Sequence, residues 1–363
     1  MTLPRNEEHQ LQIKPTFKEA SRQRFVLALK QDIGRRLRPQ LKQFVPSDLI
    51  ESDDPELIDD FFQKLIPRKI WGRLARSAQE MMWESVTDPL VREEERLISF
   101  YNGCINQSDS GGSIKLDEEL SFPEGISDVN VHLQPGGYFL NRHQSDVLAG
   151  ALYEAGGTIY SQGQSIKANE SKAELAIRFL LDKMPDFKPQ KILDIACSAG
   201  ASSTPYARLF PDATVYAIDI APGLLRYAHA RAEALGVNVH FHQCDAESIE
   251  FKDASFDLVV SHNAMHEMSP LTIEKMMLES YRLLNAEGIA LHQDVPLRNS
   301  QLDAYQQADY LWDYKYNNEP FWETYSNLDI LSLMKKSGFS DARYDRVKQL
   351  GGSMDWDLYW SLR

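Results

Sequence analysis

From about residue 169 to the end of the chain, short apolar runs alternate with segments of helical periodicity. We predict strands at 191–196, 214–219, 238–243, 256–261, 287–293, 342–348 and 355–362. We predict helices near 202–210, 222–235, 271–285 and 326–337, after a first helix that Asn169 or Ser171 would cap. Strands that are joined by helices form a mostly parallel sheet with helices on both faces. This pattern predicts an α/β, doubly wound sheet of seven strands.

The last two predicted strands are separated only by "LGGSM" (350–354), without room for a helix. A connection this short joins antiparallel neighbours, whereas a parallel crossover needs a dozen or more residues. We therefore expect the sheet to end in a reversed last strand.

The first part of the chain has a different pattern. Residues 16–103 show helical periodicity, and 105–113 is a polar loop or linker rich in Gly and Ser. We predict two short strands around a Pro-Gly-Gly turn at 129–140 and a helix at 143–156. A chain of 363 residues exceeds the size at which one core usually stops growing. We expect a mainly helical N-terminal domain at 1–165, serving as a lid, a substrate domain or a dimerisation domain, and a sheet domain at 166–363.

Composition excludes several classes of protein. The net charge of -14 argues against nucleic acid as the main partner, because phosphate binding needs a basic surface. The three cysteines have no paired spacing, which disfavours a disulfide framework and a zinc site and suits a reducing cytoplasm. The N-terminus lacks the apolar core of a signal peptide, and no apolar run could span a membrane. We expect a cytoplasmic protein with no membrane or nucleic-acid partner.

Acidic and polar residues follow the predicted strands in order. Asp194, Asp219 and Asp245 end the first three strands, and His262 with Asn263 ends the fourth. Any one of these aspartates could be a helix cap or a turn residue. Together they lie in register with the strands, and ligands of open parallel sheets bind at these strand ends. The sequence therefore predicts a ligand site there.

The turn after the first strand, "ACSAGA" (196–201), contains one glycine. A dinucleotide site needs Gly-x-Gly-x-x-Gly to hold a pyrophosphate, so a nicotinamide enzyme is disfavoured. Small residues still let a ligand approach the backbone. Asp219 is placed to accept hydrogen bonds from a ribose diol. These features favour a nucleoside ligand without phosphate.

On these residues, 169–363 resembles the class I S-adenosylmethionine-dependent methyltransferases. The matching segments are "ILDIACSAG", "VYAIDIAPGLLRYAHARA", "QCDAESIEFKDASFDLVVSHNAMHEM" and "ESYRLLNAEGIALHQDVP", followed by the antiparallel ending. Ala196 and Ser198 stand where the family usually has glycines. The resemblance implies a Rossmann-like methyltransferase fold and S-adenosylmethionine as cofactor.

The resemblance also implies roles for residues at the strand ends. Asp194 and Gly200 would line the methionine end of the cofactor, Asp219 would hold the ribose, and Asp245 with Ala246 would face the adenine. His262 or Asn263 would lie near the reactive methyl group. The implied cofactor-binding set is Asp194, Ala196, Ser198, Gly200, Asp219, Ile220, Asp245, Ala246, His262 and Asn263.

A methyl acceptor that must lose a proton needs a base, and histidine is the usual one near neutral pH. The candidates are His266, His262 and Glu267, with His292 or Asp294 as alternatives. Any of these histidines could instead be structural. His262 and His266 have a spacing that could suit a metal, but no carboxylate motif accompanies them, so we expect no metal site.

Residues 295–325 contain eight aromatic side chains, far above the chain average. They could form the wall of a pocket for a small molecule, or equally a packed lid or a subunit contact. The predicted substrate-binding residues are Tyr160, Trp312, Tyr316, Asn317 and Trp322. We expect a methyltransferase for a small-molecule acceptor, in specialised metabolism, and a homodimer formed through the N-terminal domain. The alternatives are an enzyme that uses the cofactor for cyclisation or isomerisation, and a non-catalytic scaffold with a decayed site.

Overall fold

The computed structural model describes residues 8–106, 111–123, 125–164, 171–352 and 355–363. Its centre is one sheet of eight strands in the order β1-β4-β3-β2-β5-β6-β8-β7. The strands are β1 (Ser113–Lys115), β2 (Lys191–Ile195), β3 (Thr214–Asp219), β4 (His240–Gln243), β5 (Phe256–His262), β6 (Leu284–Asp294), β7 (Arg343–Lys348) and β8 (Asp355–Leu362). The first five pairings in this order are parallel. β8 is antiparallel to both β6 and β7, as predicted. The doubly wound fold with a reversed last strand is confirmed, but the sheet has eight strands rather than the predicted seven.

Helices precede the sheet and cover both of its faces. Those before the main sheet are α1 (Phe17–Gln31), α2 (Arg38–Gln40), α3 (Ser47–Glu51), α4 (Pro55–Lys64), α5 (Ile66–Arg92), α6 (Glu94–Ile105) and α7 (Leu148–Tyr160). Those within the sheet region are α8 (Lys172–Lys183), α9 (Ser203–Leu209), α10 (Pro222–Leu235), α11 (Pro270–Leu283), α12 (Ala304–Tyr316), α13 (Trp322–Ser326) and α14 (Ile330–Lys336). A π-helical turn at Asp32–Leu37 separates α1 from α2.

The start of α8 shows how local sequence fixes an element. Ser171 accepts a hydrogen bond from the backbone N–H of Glu174 at 3.2 Å, and the Glu174 carboxylate accepts the N–H of Ser171 at 2.7 Å. This reciprocal capping satisfies N–H groups that have no partner inside the helix. Ser171 is therefore the cap; Asn169, the other candidate, lies outside the described residues.

The structure corrects the sequence prediction in the first part of the chain. The two strands predicted at 129–140 are wrong: Val131–Leu133 is a short 3-10 turn, and no described residue of this stretch is in a strand. His132 and Leu133 have left-handed backbone angles, with φ of 55° and 62°. The alternation of apolar and polar residues imitated a strand, but such angles cannot continue a ladder. The sheet instead gains β1, which pairs with β4 at its edge.

Helices α1, α5, α6 and α7 pack against the sheet region through α10. A cluster of buried side chains joins Leu152 of α7 and Trp83 of α5 to Tyr227 of α10. The contact is close, because a Cβ atom on Gly150 would lie 2.3 Å from Cβ of Tyr227. This packing brings 129–164 to the carboxyl ends of the parallel strands. Among the described residues, no helix has both the length and the apolar character needed to cross a bilayer.

Candidate active site at the carboxyl ends of the strands

The turn that follows β2 has an unusual backbone. Ala196, Ser198 and Gly200 all have left-handed angles, with φ of 57°, 50° and 74°. Glycine adopts this left-handed region without strain, whereas the same backbone angles cost conformational free energy in residues that have a side chain. A Cβ atom on Gly200 would lie 3.0 Å from Cβ of Ala228 in α10. The turn thus has the shape of a glycine-rich loop although two of its three left-handed positions carry small side chains.

Asp194 lies at the end of β2 and is fully buried. Its Oδ2 atom accepts hydrogen bonds from the hydroxyls of Ser202 and Ser203, at 2.6 and 2.7 Å. Its Oδ1 atom has no hydrogen-bond partner among the described residues. Burial raises the pKa of Asp194 to about 7, and the charge of Asp219 adds to the rise. The hydrogen bonds from the two serines act in the opposite direction and lower the pKa. A buried acceptor without a donor is costly, so a ligand that donates to Oδ1 would be stabilised.

Asp219 ends β3 and holds the neighbouring turn. Its Oδ2 accepts the N–H of Ser198 at 2.8 Å, and its Oδ1 accepts the N–H of Ala221 at 2.9 Å. Burial raises the pKa of Asp219, while the backbone N–H groups act against that rise. Each carboxylate oxygen can accept a second hydrogen bond. Asp219 can therefore position the turn and still accept from two hydroxyl groups.

The remaining predicted cofactor residues lie on the adjacent strand ends. Asp245, half-buried after β4, accepts the N–H of Glu247 at 2.9 Å, and Ala246 is half-buried beside it. Ile220 is half-buried next to Asp219. Asn263, at φ 52° after β5, accepts from the side chain of Gln293 at 3.1 Å. Since β4, β3, β2 and β5 are neighbours in the sheet, all these residues lie along one edge.

His262 has both ring nitrogens occupied. Its Nε2 lies 3.0 Å from the hydroxyl of Tyr206, and its Nδ1 lies 3.2 Å from Oε1 of Gln293. Burial lowers the pKa of His262 to about 4, although the hydrogen bond that Nδ1 donates to Oε1 of Gln293 acts to raise it. A neutral imidazole with two partners has no nitrogen left for a substrate.

His266 is held differently, on the short turn Met265–Glu267. Its Nδ1 lies 2.5 Å from Oδ1 of Asp294, and its Nε2 lies 3.5 Å from Oε1 of Glu267. Burial would lower the pKa of His266, but the charge and hydrogen bond of Asp294 raise it. A carboxylate that fixes one nitrogen of a histidine leaves the other nitrogen for chemistry. The predicted pair His266 and Glu267 therefore lies together, with Asp294 behind it.

The sequence analysis did not assign a role to His132, which completes a buried polar cluster. We use this name for His132, Tyr138, Tyr160, His266, Glu267 and Glu319. Nε2 of His132 lies 2.9 Å from Oε1 of Glu267, and its Nδ1 contacts Oε1 of Glu319. Burial would lower the pKa of His132, but the two glutamates raise it to about 10. The cluster joins the N-terminal region to the sheet region.

Two tyrosines of the N-terminal region also face this cluster and the cofactor residues. The hydroxyl of Tyr138 donates to Oε1 of Glu267 at 3.0 Å. Burial, with the charges of Glu267 and Asp219, raises the pKa of Tyr153 to about 12. The ring of Tyr153 packs edge-on against that of Tyr138, with centroids 5.9 Å apart, so Tyr153 lies beside the buried polar cluster. Neither tyrosine stands in a motif, so only the packing of 129–164 over the strand ends shows their position.

The side chains that were predicted to bind the substrate lie at three different sites. Tyr160, Trp312 and Asn317 line one cavity of about 180 Å³, together with Lys30 and Trp71. The hydroxyl of Tyr160 accepts from Nδ2 of Asn317 at 3.2 Å and lies 2.8 Å from Nδ1 of His132.

Trp322 lines a second cavity and stacks edge-on against His266, with ring centroids 5.5 Å apart. Tyr316 instead lies on the outside, 42% exposed, and its hydroxyl donates to Gln63 at 3.0 Å. The structure therefore brings Tyr160, Trp312 and Asn317 together in one cavity. The ring of Tyr316 packs beside that of Trp312, with centroids 6.0 Å apart, but Tyr316 does not line the cavity.

Residues 192–288 match the family model described as a methyltransferase domain. These residues form a class I methyltransferase domain. The methyltransferase domain that the sequence predicts is confirmed over these residues, and with it the Rossmann-like fold; S-adenosylmethionine is the cofactor of such domains. The matched residues of the methyltransferase domain contain every predicted cofactor-binding residue.

Relatives match the methyltransferase domain and part of its surroundings. An uncharacterised methyltransferase of Synechocystis sp. is 29% identical over 165 residues, which are 46% of this chain and 73% of that protein. The demethylmenaquinone methyltransferase of Thermus thermophilus is 34% identical over 100 residues, 28% of this chain and 44% of that enzyme. An uncharacterised protein of Rickettsia prowazekii is 26% identical over 166 residues, and the chain spans only 26% of its length.

Solved structures resemble this chain more weakly than these relatives do. The phosphoethanolamine N-methyltransferase 2 of Haemonchus contortus, in complex with S-adenosyl-L-methionine, is 17% identical. The match covers 67% of this chain and 61% of that one, with a TM-score of 0.45.

Proposed function

We propose that this protein transfers the methyl group of S-adenosylmethionine to a small-molecule acceptor. The main support is the alignment of Asp194, the small-residue turn and Asp219 on adjacent strands of the methyltransferase domain. The buried polar cluster lies at the same edge and offers groups that could handle a proton.

The strand ends fit the proposed cofactor. Oδ1 of Asp194, buried and without a partner among the described residues, would accept from the amino group of the methionine part. Asp219 would accept from the ribose hydroxyls, and Asp245 would face the adenine. The left-handed turn lets the ligand approach the backbone where larger side chains would collide with it. When bound, the cofactor supplies a methyl group activated by a sulfonium charge.

Proton transfer is assigned to His266. Asp294 holds Nδ1 of the ring, so Nε2 faces Glu267 and the interior of the cluster. Nε2 would accept a proton from the acceptor, and Asp294 would stabilise the resulting cation. Glu267 would orient the ring. His262 is less suited to this role because Tyr206 and Gln293 occupy both of its nitrogens.

The acceptor would bind beside the buried polar cluster, in the cavity that Tyr160 of that cluster lines. The cavity beside Tyr160, Trp312 and Asn317 measures about 180 Å³, which suits a small molecule better than a polypeptide. The N-terminal region that covers the strand ends would also exclude water from the reacting groups. Specialised metabolism, as the source of the acceptor, stays a prediction.

Product analysis tests this proposal directly. The protein is incubated with S-adenosylmethionine labelled on its methyl group and with a metabolite extract. Methyl transfer yields S-adenosylhomocysteine and one labelled product in equal amounts. A converted acceptor without S-adenosylhomocysteine would instead support cyclisation or isomerisation. Absence of cofactor binding would support a scaffold with a decayed site.

Two further predictions concern the whole protein. All three cysteines are unpaired and buried, which supports a cytoplasmic location.

One face of α5 exposes apolar side chains, which supports a homodimer through the N-terminal region. These side chains are Ile66, Ile70 and Leu74, which are 68%, 55% and 43% exposed. Light scattering would show a mass of two chains, and Ile70→Lys should reduce it to one. A wild-type mass of one chain would contradict the homodimer.

A further inference from the structure

Two histidines from distant parts of the sequence converge on one carboxylate oxygen. Nε2 of His132 and Nε2 of His266 lie 2.9 and 3.5 Å from Oε1 of Glu267. Ligand atoms of the three residues all lie within 4.8 Å of one another. Ligands about 2.1 Å from a metal ion are about 3.0 Å apart at right angles and about 3.4 Å apart at tetrahedral angles. Each histidine nitrogen therefore lies at about the distance from Oε1 of Glu267 that separates two ligands of a single ion.

The other nitrogen of each histidine faces a second carboxylate. Nδ1 of His132 contacts Oε1 of Glu319, and Nδ1 of His266 lies 2.5 Å from Oδ1 of Asp294. Histidines that bind metals almost always donate the opposite N–H to a carboxylate, a carbonyl or water, which fixes the ring and its tautomer. Both histidines show this arrangement here, so both Nε2 atoms can act as ligands once an ion displaces the proton between His132 and Glu267.

We propose that His132, His266 and Glu267 bind one divalent first-row transition-metal ion. Two histidines and one carboxylate form a common metal-binding set that leaves coordination positions open. Oε2 of Glu267 is buried and has no hydrogen-bond partner among the described residues, so it is available to the same ion. The sequence spacing suggested His262 as the second histidine of a metal site with His266. In the structure, His132 occupies that position instead.

The backbone holds His132 in place for this role. Its carbonyl oxygen accepts hydrogen bonds from Trp83 at 2.7 Å and from Gln79 at 2.9 Å, both on α5. Its φ of 55° is unfavourable for a residue with a side chain, and the surrounding contacts maintain it. The ligand is thus positioned before an ion arrives.

A second group of side chains could also offer ligands to a metal ion, but its charges differ from those of the first group. Glu94, His143 and Asp146 also lie within ligand distance of one another, but Arg142 pairs with both carboxylates. In the described part of the chain, the ion pairs of Glu267 and Glu319 involve histidines only. The group of His132, His266 and Glu267 is therefore the better cation site.

The open positions suggest what the ion would do. They would take a hydroxyl oxygen of the methyl acceptor, which a bound metal ion makes easier to deprotonate, with the proton passing to water. With the ion bound, Nε2 of His266 is a ligand and does not accept a proton, so the ion takes the place of His266 as the group that promotes deprotonation. This role of the ion rests on the proposed function, whereas the binding of the ion does not.

The test is a metal titration of the full-length protein without cofactor. Chelator-treated protein is titrated with Co²⁺, followed by visible absorption and calorimetry, and then with Zn²⁺ and Fe²⁺. We expect one ion per chain. His132→Ala and His266→Ala should each weaken binding at least about 100-fold, and Glu319→Gln should weaken it about 10- to 100-fold. His143→Ala, the matched control in the second group, should bind like the wild type.

Two results would overturn the metal site. One is the absence of a stoichiometric ion at millimolar metal, which would show that a proton holds the cluster together instead. The other is equal affinity in the wild type and in folded His132→Ala. If His132→Ala fails to fold, the Glu319→Gln variant tests the metal site instead. This variant keeps all three ligands, and metal affinity equal to that of the wild type would overturn the site. Methyl transfer is measured separately, so failure of the metal site and failure of the proposed function are distinguishable.

Discussion

Nδ1 of His266 lies 2.5 Å from Oδ1 of Asp294, where the turn after β5 meets the end of β6. Both residues are buried, and Oδ2 of the same aspartate accepts the N–H of Met265 at 2.8 Å. One carboxylate thus fixes the ring and the turn that carries it. Nε2 of His266 consequently has a defined direction toward Glu267 and the N-terminal region.

This arrangement predicts the effect of His266→Ala. Loss of the proposed base should slow turnover about 100- to 10,000-fold, while the dissociation constant for S-adenosylmethionine stays within about 2-fold of the wild type. Turnover is measured as release of S-adenosylhomocysteine with an acceptor identified from metabolite extract. The control is His240→Ala, because His240 lies on β4 and its Nδ1 contacts the hydroxyl of Ser113. Unchanged turnover in His266→Ala would make this histidine structural.

Tyr160→Phe and Tyr316→Phe form a matched pair for the acceptor site. The hydroxyl of Tyr160 contacts His132 and Asn317, whereas that of Tyr316 contacts Gln63 on the outside. Loss of a hydroxyl that bonds a charged group costs about 1.5–3 kcal/mol, so Tyr160→Phe should lower kcat/KM at least about 10-fold. Tyr316→Phe should behave like the wild type. Equal kcat/KM for the two variants would place the acceptor elsewhere.

The turn after β2 predicts opposite effects for two substitutions. Gly200→Ala should destabilise the protein by about 1–2 kcal/mol, because alanine is strained at φ 74° and its Cβ would press on Ala228. Ala196→Gly relieves the same kind of strain at φ 57° but adds chain entropy to the unfolded state. It should stabilise by at most about 1 kcal/mol and keep cofactor affinity. Urea unfolding checks both. Equal stability losses would mean that backbone angles do not govern this turn.

Glu154 gives the protein a pH-dependent stability. Burial alone would raise the pKa of Glu154, but the hydrogen bond and charge of His9, at 2.8 Å, and the charge of Arg231 lower it to about 2. The unfolded value is about 4.3. Because the folded pKa is the lower one, this stabilisation is present above the unfolded pKa and disappears as the pH falls toward 2. It is on the order of 2–3 kcal/mol.

Urea unfolding of the wild type and of Glu154→Gln between pH 3 and pH 7 measures this effect. The difference in unfolding free energy should be largest above about pH 5 and should shrink as the solution is acidified. A difference that is constant across this range would show that the pKa of Glu154 is not lowered in the folded protein.

The sequence predicts the sheet, and the edge at which the three aspartates lie, because both depend on the local order of strands and helices. Parallel strands place their carboxyl ends at one edge, so Asp194, Asp219 and Asp245 could be assigned to one site from spacing alone. The three residues of β1 are too few to show a period, and only their pairing with β4 reveals a strand.

The buried polar cluster could not be predicted in this way. His132 meets Glu267 and Glu319 only because α7 packs against α10 and brings 129–164 over the strand ends. No periodicity or motif encodes a contact between segments so distant along the chain. The alternation at 129–140 even suggested strands, although the backbone angle of His132 excludes them.

The central claim is that the carboxyl ends of the strands bind S-adenosylmethionine through Asp219. Titration calorimetry on the wild type, Asp219→Asn and Asp257→Asn tests it most directly. Asp257 is the matched control, since it accepts two backbone N–H groups, of Gln190 and Lys191, but follows the start of β5 at the opposite edge. We predict one cofactor per chain, affinity reduced at least about 10-fold in Asp219→Asn, and wild-type affinity in Asp257→Asn. No heat of binding in the wild type, or equal affinity in all three proteins, would contradict this account.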